Sequence, residues 1–170
     1  IVERDKDKQP KKITGIVSNI TREKEMEKER DATYQLIYST LQHNPVASTV
    51  VDEEGKITFA NKKAEELLGI TQKQINERNF DDVKWEITDL QGNAISSSQL
   101  PFRIIMNTKK PIYNYQHYIK VPGNERRLLA ISGAPMFNQR EKVAGVVFTL
   151  WDITEQKRAE KVIKKNKKKY

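Results

Sequence analysis

The 170-residue sequence contains no cysteine. That excludes disulfides, thiolate nucleophiles and cysteine metal sites. Its two histidines, at 43 and 117, would need unusual partners to hold a metal. No apolar run approaches the ~18 residues that a membrane span needs. The opening, "IVERDKDKQPKK", has charges but no apolar stretch after them, and does not read as a signal peptide. No glycine-rich loop offers a phosphate cradle, and no spacing brings two carboxylates together. With 36 % apolar and 32 % charged residues, some segments are expected to lie outside any core. A chain without cysteine fits the cytoplasm, and cytoplasmic is the expected location.

The charge that is present is unevenly placed. The net charge is +8 at pH 7, yet residues 31–155 are close to neutral and residues 156–170 carry most of the excess. Nucleic-acid binding would need a basic face or groove. A short basic tail reads instead as a solvated helix, so no nucleic-acid partner is expected, and no membrane contact.

Punctuation residues divide the rest. Residues 11–20, "KKITGIVSNI", are rich in β-branched side chains and read as a strand. Residues 21–43 follow as a charged, amphipathic helix, with Met26, Thr33, Ile37 and Leu41 forming a stripe at helical spacing that Arg30 interrupts. Asn44-Pro45 ends it. Val46–Val51 and Lys56–Ala60 read as a hairpin around the turn Asp52–Gly55. Asn61 is placed to cap the helix "KKAEELL", and Gly69 to stop it. Residues 71–97 read as short turns around Ile75, Phe80, Val83 and Trp85. Ser98 is expected to cap a helix through Asn107, with Pro101 in its first turn. Three strands follow, at Pro111–Val121, Arg126–Met136 and Lys142–Asp152. The last is apolar on both faces, which predicts cover on both.

A five-stranded antiparallel sheet cradling short helices, an α+β fold, is the simplest closure of this order. "VVDEEGKITFANKKAEELLGIT", "GNAISSSQLPFRIIMNTKKPI" and "ISGAPMFNQREKVAGVVFTLWDITEQKRAE" resemble the PAS family. The resemblance covers residues 45–157. It implies a PAS domain at 45–154 between a connecting helix at 21–44 and an exit helix or linker at 155–170. PAS domains commonly occur in tandem upstream of histidine kinases. Asn19-Ile20-Thr21 matches Asp152-Ile153-Thr154 at a displacement of 133 residues, so residues 1–20 are expected to be the terminal strand of a preceding PAS domain.

Two groups of residues are candidates for function. At the junction, Asp152 is placed to cap the exit helix, Ile153 and Thr154 lead into it, and Glu155 stands where a capping box needs an acid. Arg126 or Arg127, on the neighbouring strand, is the candidate partner for Asp152. On the concave face, Asn61, Trp85, Phe102, Met106, Tyr115, His117 and Ile131 are candidates to line a pocket. In "YNYQHYI" the alternation puts Tyr113, Tyr115, His117 and Ile119 on one face and Ile112, Asn114, Gln116 and Tyr118 on the other, and its balance leaves the inward face open.

Cofactors are tested by the same resemblance. The flavin photoadduct of light-sensing relatives requires a cysteine, which is missing. The haem-binding branch uses a histidine on a mid-domain helix, and residues 98–107 have none. His43, in "LQHNP", lacks the surroundings of a phospho-accepting histidine. The fragment is therefore expected to be non-catalytic and to hold no metal, with its cofactor undetermined. Two readings stay open. One is a sensory or relay module of a signalling protein with a small-molecule ligand. The other is a ligand-free interaction domain that dimerises through helix 21–43 and the outer sheet face, next to PAS or kinase domains of its parent.

Overall fold

The computed structural model describes residues 15–167. The chain divides into two units, one up to Thr40 and one from Leu41.

The first unit consists, among the described residues, of one helix. Helix α1, Gly15–Gln42, runs on into the second unit. Residues 15–20, expected as strand, are helical, and residues 1–14 of that expectation lie outside the described residues. The physical reason is partnering. A lone strand leaves its backbone groups unpaired. A helix nucleated in "TREKEMEKER" gains a bond for each residue added, and β-branched residues oppose this only weakly. Asn19-Ile20-Thr21 is thus interior to a helix, unlike Asp152-Ile153-Thr154. Residues 19–40 are all exposed, Met26, Leu36 and Ile37 included. The expected amphipathic stripe is not buried in the single chain.

The second unit is built on one antiparallel sheet of order β2-β1-β5-β4-β3. Its strands are β1 Ala47–Asp52, β2 Ile57–Ala60, β3 Ile112–Val121, β4 Glu125–Phe137 and β5 Val143–Asp152. Between β2 and β3 lie α2 Lys62–Leu68, α3 Gln72–Asn76, α4 Pro101–Thr108 and two 3-10 turns, Val83–Trp85 and Ser97–Gln99. Helix α5, Thr154–Lys167, follows β5. Among the described residues no helix is long and apolar enough to cross a membrane.

Local chemistry sets these boundaries. Gly69 ends α2 at φ +69°, in the left-handed region that glycine enters without a Cβ penalty. Pro101 occupies the first position of α4, where its missing N–H costs nothing. Ser98 does not cap α4. Leu100 stands at the cap without a side-chain bond, and Ser98 lies in the preceding 3-10 turn, its hydroxyl 2.7 Å from that of Ser96.

The sheet's inner face carries the core. Val51, Leu129, Val146, Phe148 and Leu150 are buried there with Phe102 and Ile105 of α4. Gly133 permits this close packing, because a Cβ on it would stand 2.5 Å from the Phe148 ring and 2.9 Å from Ile105. The other face of β5 departs from expectation. Val147 and Thr149 are half-buried, and Trp151 is 54 % exposed. As the sheet's middle strand, β5 has a neighbour on each side, β1 and β4, and its outer side chains are less buried than its inner ones.

Candidate functional site

The inner face and the helices line a partly open cavity of about 90 Å³. Several times the roughly 10–15 Å³ that admits one water is available there. The sheet contributes Thr49, His117, Ile119, Leu129, Ile131 and Phe148. The helical side contributes Leu68, Phe80, Trp85, Ile87, Leu100 and Phe102. Phe80 and Phe102 meet with ring centroids 4.4 Å apart. Trp85, 5 % exposed, donates its Nε1 hydrogen to the carbonyl of Asn79 at 3.0 Å. The guanidinium of Arg78 lies over its ring at 4.4 Å.

Of the seven candidate pocket residues, Trp85, Phe102, His117 and Ile131 line the cavity, and Asn61, Met106 and Tyr115 do not. Each departure has a cause. Asn61 is fully buried where Leu41, β1 and α2 meet within the second unit. Its Oδ1 accepts from Ser48 N and Ala64 N, each at 2.9 Å. Its Nδ2 donates to the carbonyls of Val46 at 2.8 Å and Leu41 at 3.1 Å. Met106 packs half-buried against the core, one position round the helix from Ile105. Tyr115 turns its hydroxyl away to the carbonyl of Gln99 at 2.9 Å, and partial burial pushes its pKa up.

The alternation in β3 is also interrupted. Ile112 pairs with Gly133 and Tyr115 with Ile131, so a bulge lies between them, with Asn114 at φ +54°. Tyr113 leaves the inner face and is 76 % exposed. Phe80, Ile87 and Leu100 were not anticipated as lining. Their segment has no periodicity from which a face could be read.

His117 is the titratable group of the lining. It is 4 % exposed, and burial pulls its pKa down to about 4. Its Nδ1 lies 3.3 Å from the carbonyl of Tyr118, and its ring meets that of Tyr115 edge-on at 6.0 Å. A carbonyl only accepts, so this contact assigns the hydrogen to Nδ1 and leaves Nε2 a bare acceptor.

The junction is assembled at the end of β5. Asp152 Oδ1 accepts from Thr154 N at 2.9 Å and from the Thr154 hydroxyl at 2.5 Å. That hydroxyl in turn accepts from Leu128 N at 2.9 Å, and Ile153 N donates to Leu128 O at 2.9 Å. The expected cap is displaced by one residue: α5 begins at Thr154, Ile153 holds the cap position, and Asp152 braces Thr154, whose hydroxyl ties the start of the helix to Leu128 of β4. Glu155 takes no part in a capping box; its carboxylate accepts from Arg158 at 2.6 Å, one turn on, where an exposed acid finds a cation most cheaply. Between the two candidate arginines the geometry selects Arg127, whose Nε lies 3.7 Å from Asp152 Oδ2. Arg127 also donates to the carbonyl of Leu67, at the end of α2. Arg126 is used elsewhere, donating to Thr88 Oγ1 at 2.6 Å and Glu86 O at 3.1 Å.

An antiparallel sheet closed by short helices over an apolar cavity, with a helix leaving its central strand, defines a cavity-bearing α+β module. The family model for the PAS domain matches residues 45–155, and the chain belongs to that family. Its PAS domain is a sensory module rather than a catalytic one. Similar solved structures show the same fold. The PAS domain of a protein from Colwellia psychrerythraea aligns with a TM-score of 0.58 at 14% identity, over 72% of this chain and 98% of that one. The PAS domain of nitrogen regulation protein NR(II) from Vibrio parahaemolyticus aligns with a TM-score of 0.52 at 18% identity, over 68% and 95%. A PAS domain from a two-component sensor histidine kinase aligns with a TM-score of 0.56 at 10% identity, over 72% and 98%. A comparison with curated protein sequences finds no match. Among the described residues no group of three or more His, Asp or Glu is arranged to hold a metal ion.

Proposed function

We propose that the domain senses a small molecule in the cavity and passes the change through Asp152-Ile153-Thr154 to α5. One observation carries this reading. Leu129 lines the cavity and pairs with His117 on one side and with Asp152 on the other. A shift at the cavity wall thus reaches, through one strand pair, the carboxylate that braces the first residue of the exit helix. Arg127 adds a second link, since it holds the end of α2 beside Leu68 and faces Asp152. The parent is a multidomain signal-transduction protein of the cytoplasm, a sensor histidine kinase on the strength of the related PAS domains, with adjacent PAS or kinase domains. A cyclic-dinucleotide enzyme or a transcription regulator could carry the same module. Native mass spectrometry of freshly purified protein tests the sensing role. Extra mass on the folded ion, lost on denaturation, is the expected result; its absence favours the rival.

The rival is a ligand-free dimerisation domain. Trp151 on the outer sheet face and Leu36 and Ile37 on α1 favour it, because each is at least half exposed in the single chain. A homodimer through the helix at 21–43 and the outer face would cover them. Analytical ultracentrifugation checks this: Ile37→Lys and Trp151→Lys should each weaken association. Unchanged association in both removes the proposed interface.

A further inference from the structure

The cavity's chemistry narrows what it can hold, on the reading that it is a ligand site. None of its lining side chains is Asp, Glu, Lys or Arg. Fourteen of the sixteen are apolar or aromatic, and Trp85 has already given its one hydrogen to Asn79. A charged ligand group would therefore lose water without finding a counter-ion. Arg78 and Arg103 stand nearby, but against the outer sides of the aromatic walls, over Trp85 at 4.4 Å and over Phe80 at 5.4 Å, and neither is part of the lining.

Two polar atoms interrupt the apolar wall. Nε2 of His117 and the hydroxyl of Thr49 make no hydrogen bond among the described residues, and neither is among the fully enclosed side-chain atoms left without a partner, so both open onto the cavity. Polar groups inside folded proteins are normally satisfied by protein, by water or by a bound molecule, and these two are open to whatever fills the cavity. A ligand that donates a hydrogen bond satisfies the first of them. Nε2 can only accept while Nδ1 holds the hydrogen against the Tyr118 carbonyl. Thr49 lies across the sheet on β1, two strands from β4, and could take a second polar group in either sense.

We propose that the cavity binds a compact, uncharged, mainly apolar molecule carrying a hydroxyl or N–H group, which it donates to Nε2 of His117. Alcohols, phenols and N–H heteroaromatics fit this class; carboxylates, phosphates and ammonium compounds do not. The aromatic walls formed by Phe80, Trp85, Phe102 and Phe148 suit a flat ring.

Three single-ring probes separate the alternatives: phenol, toluene of the same size, and the slightly larger benzoate, titrated into the full chain and followed by the amide resonances of Leu129 and Ile131. Phenol should bind about tenfold tighter than toluene, as expected for one neutral hydrogen bond to an otherwise unpaired buried acceptor. Benzoate should bind at least ~100-fold more weakly than phenol. In His117→Phe the preference for phenol should be lost and toluene should bind at least as tightly, because the phenol hydroxyl is then buried without its acceptor. Should that variant misfold, the Nε2 resonance of wild-type His117 gives the same answer: its nitrogen shift should be far larger with phenol, which donates to it, than with toluene, which acts through its ring current alone. If toluene matches phenol, or benzoate binds best, the ligand class is wrong while the cavity still takes a ligand. If no probe moves the lining resonances up to its solubility, both the ligand class and the sensing reading fall.

Discussion

Asn61 and His117 are about equally buried polar side chains in one domain, and they are used in opposite ways. Asn61 engages both ends of its amide, with two backbone donors on Oδ1 and the carbonyls of Val46 and Leu41 on Nδ2. It holds the corner where Leu41, β1 and α2 meet. His117 engages one ring nitrogen and leaves the other open toward an apolar cavity. A fully engaged buried group serves the fold. A partly engaged one costs stability, and its retention makes sense where something else completes it.

Three experiments break or sharpen this contrast. The largest effect is expected from Asn61→Ala, which leaves buried donors and acceptors unpaired and removes the α2 cap. It should cost about 3–5 kcal/mol in urea unfolding. A loss below about 1 kcal/mol would show that the corner is held by packing alone.

His117 should show its cost through pH. Above its ordinary value near 6.5 both folded and unfolded chains carry a neutral ring. Between 6.5 and about 4 the unfolded chain takes up a proton that the folded chain refuses, so stability falls as pH drops and levels off below. The full loss is about 3 kcal/mol. His117→Leu should remove that part of the slope while leaving the carboxylate contributions in place. Identical pH profiles for the two proteins would contradict the burial of a neutral ring.

The smallest effect belongs to the junction. Asp152 is partly exposed, so its pairing with Arg127 at 3.7 Å contributes little. Asp152→Asn keeps an acceptor for Thr154 and should stay near the wild type. Asp152→Ala should lose about 1 kcal/mol, with faster amide exchange in residues 153–157. Unchanged exchange in the alanine variant would remove Asp152 from the relay.

Elements governed by local chemistry were legible in the sequence. The Asp52–Gly55 turn, the Asn61 cap, the Gly69 stop and Pro101 at a helix start all act within a few residues, and each stands where expected. Trp85, Phe102, His117 and Ile131 were legible as lining because large or polar side chains on opposed elements converge. Features set by distant partners were not. Tyr113 leaves its face because of a bulge that depends on β4 pairing and on Asn114 at positive φ. Asn61 was recognisable as a cap but not as a donor to Leu41. Residues 15–20 have strand-forming side chains but join the helix that follows. Glu155 matches a capping box in spacing, yet Arg158 lies one turn away and takes it.

The placement of the two tryptophans gives the domain a built-in pair of optical reporters. Trp85 stands in the cavity wall on the inner side of the sheet, and Trp151 stands half in water on the outer side. A shielded indole emits at shorter wavelength than a wet one, so the two contribute separable bands. Replacing one at a time by phenylalanine would leave a single emitter on a chosen side. A spectral change in the protein retaining Trp85 would register an arrival inside, and a change in the one retaining Trp151 would register a neighbour outside. Filling of the domain and its assembly could then be timed independently, without an attached dye.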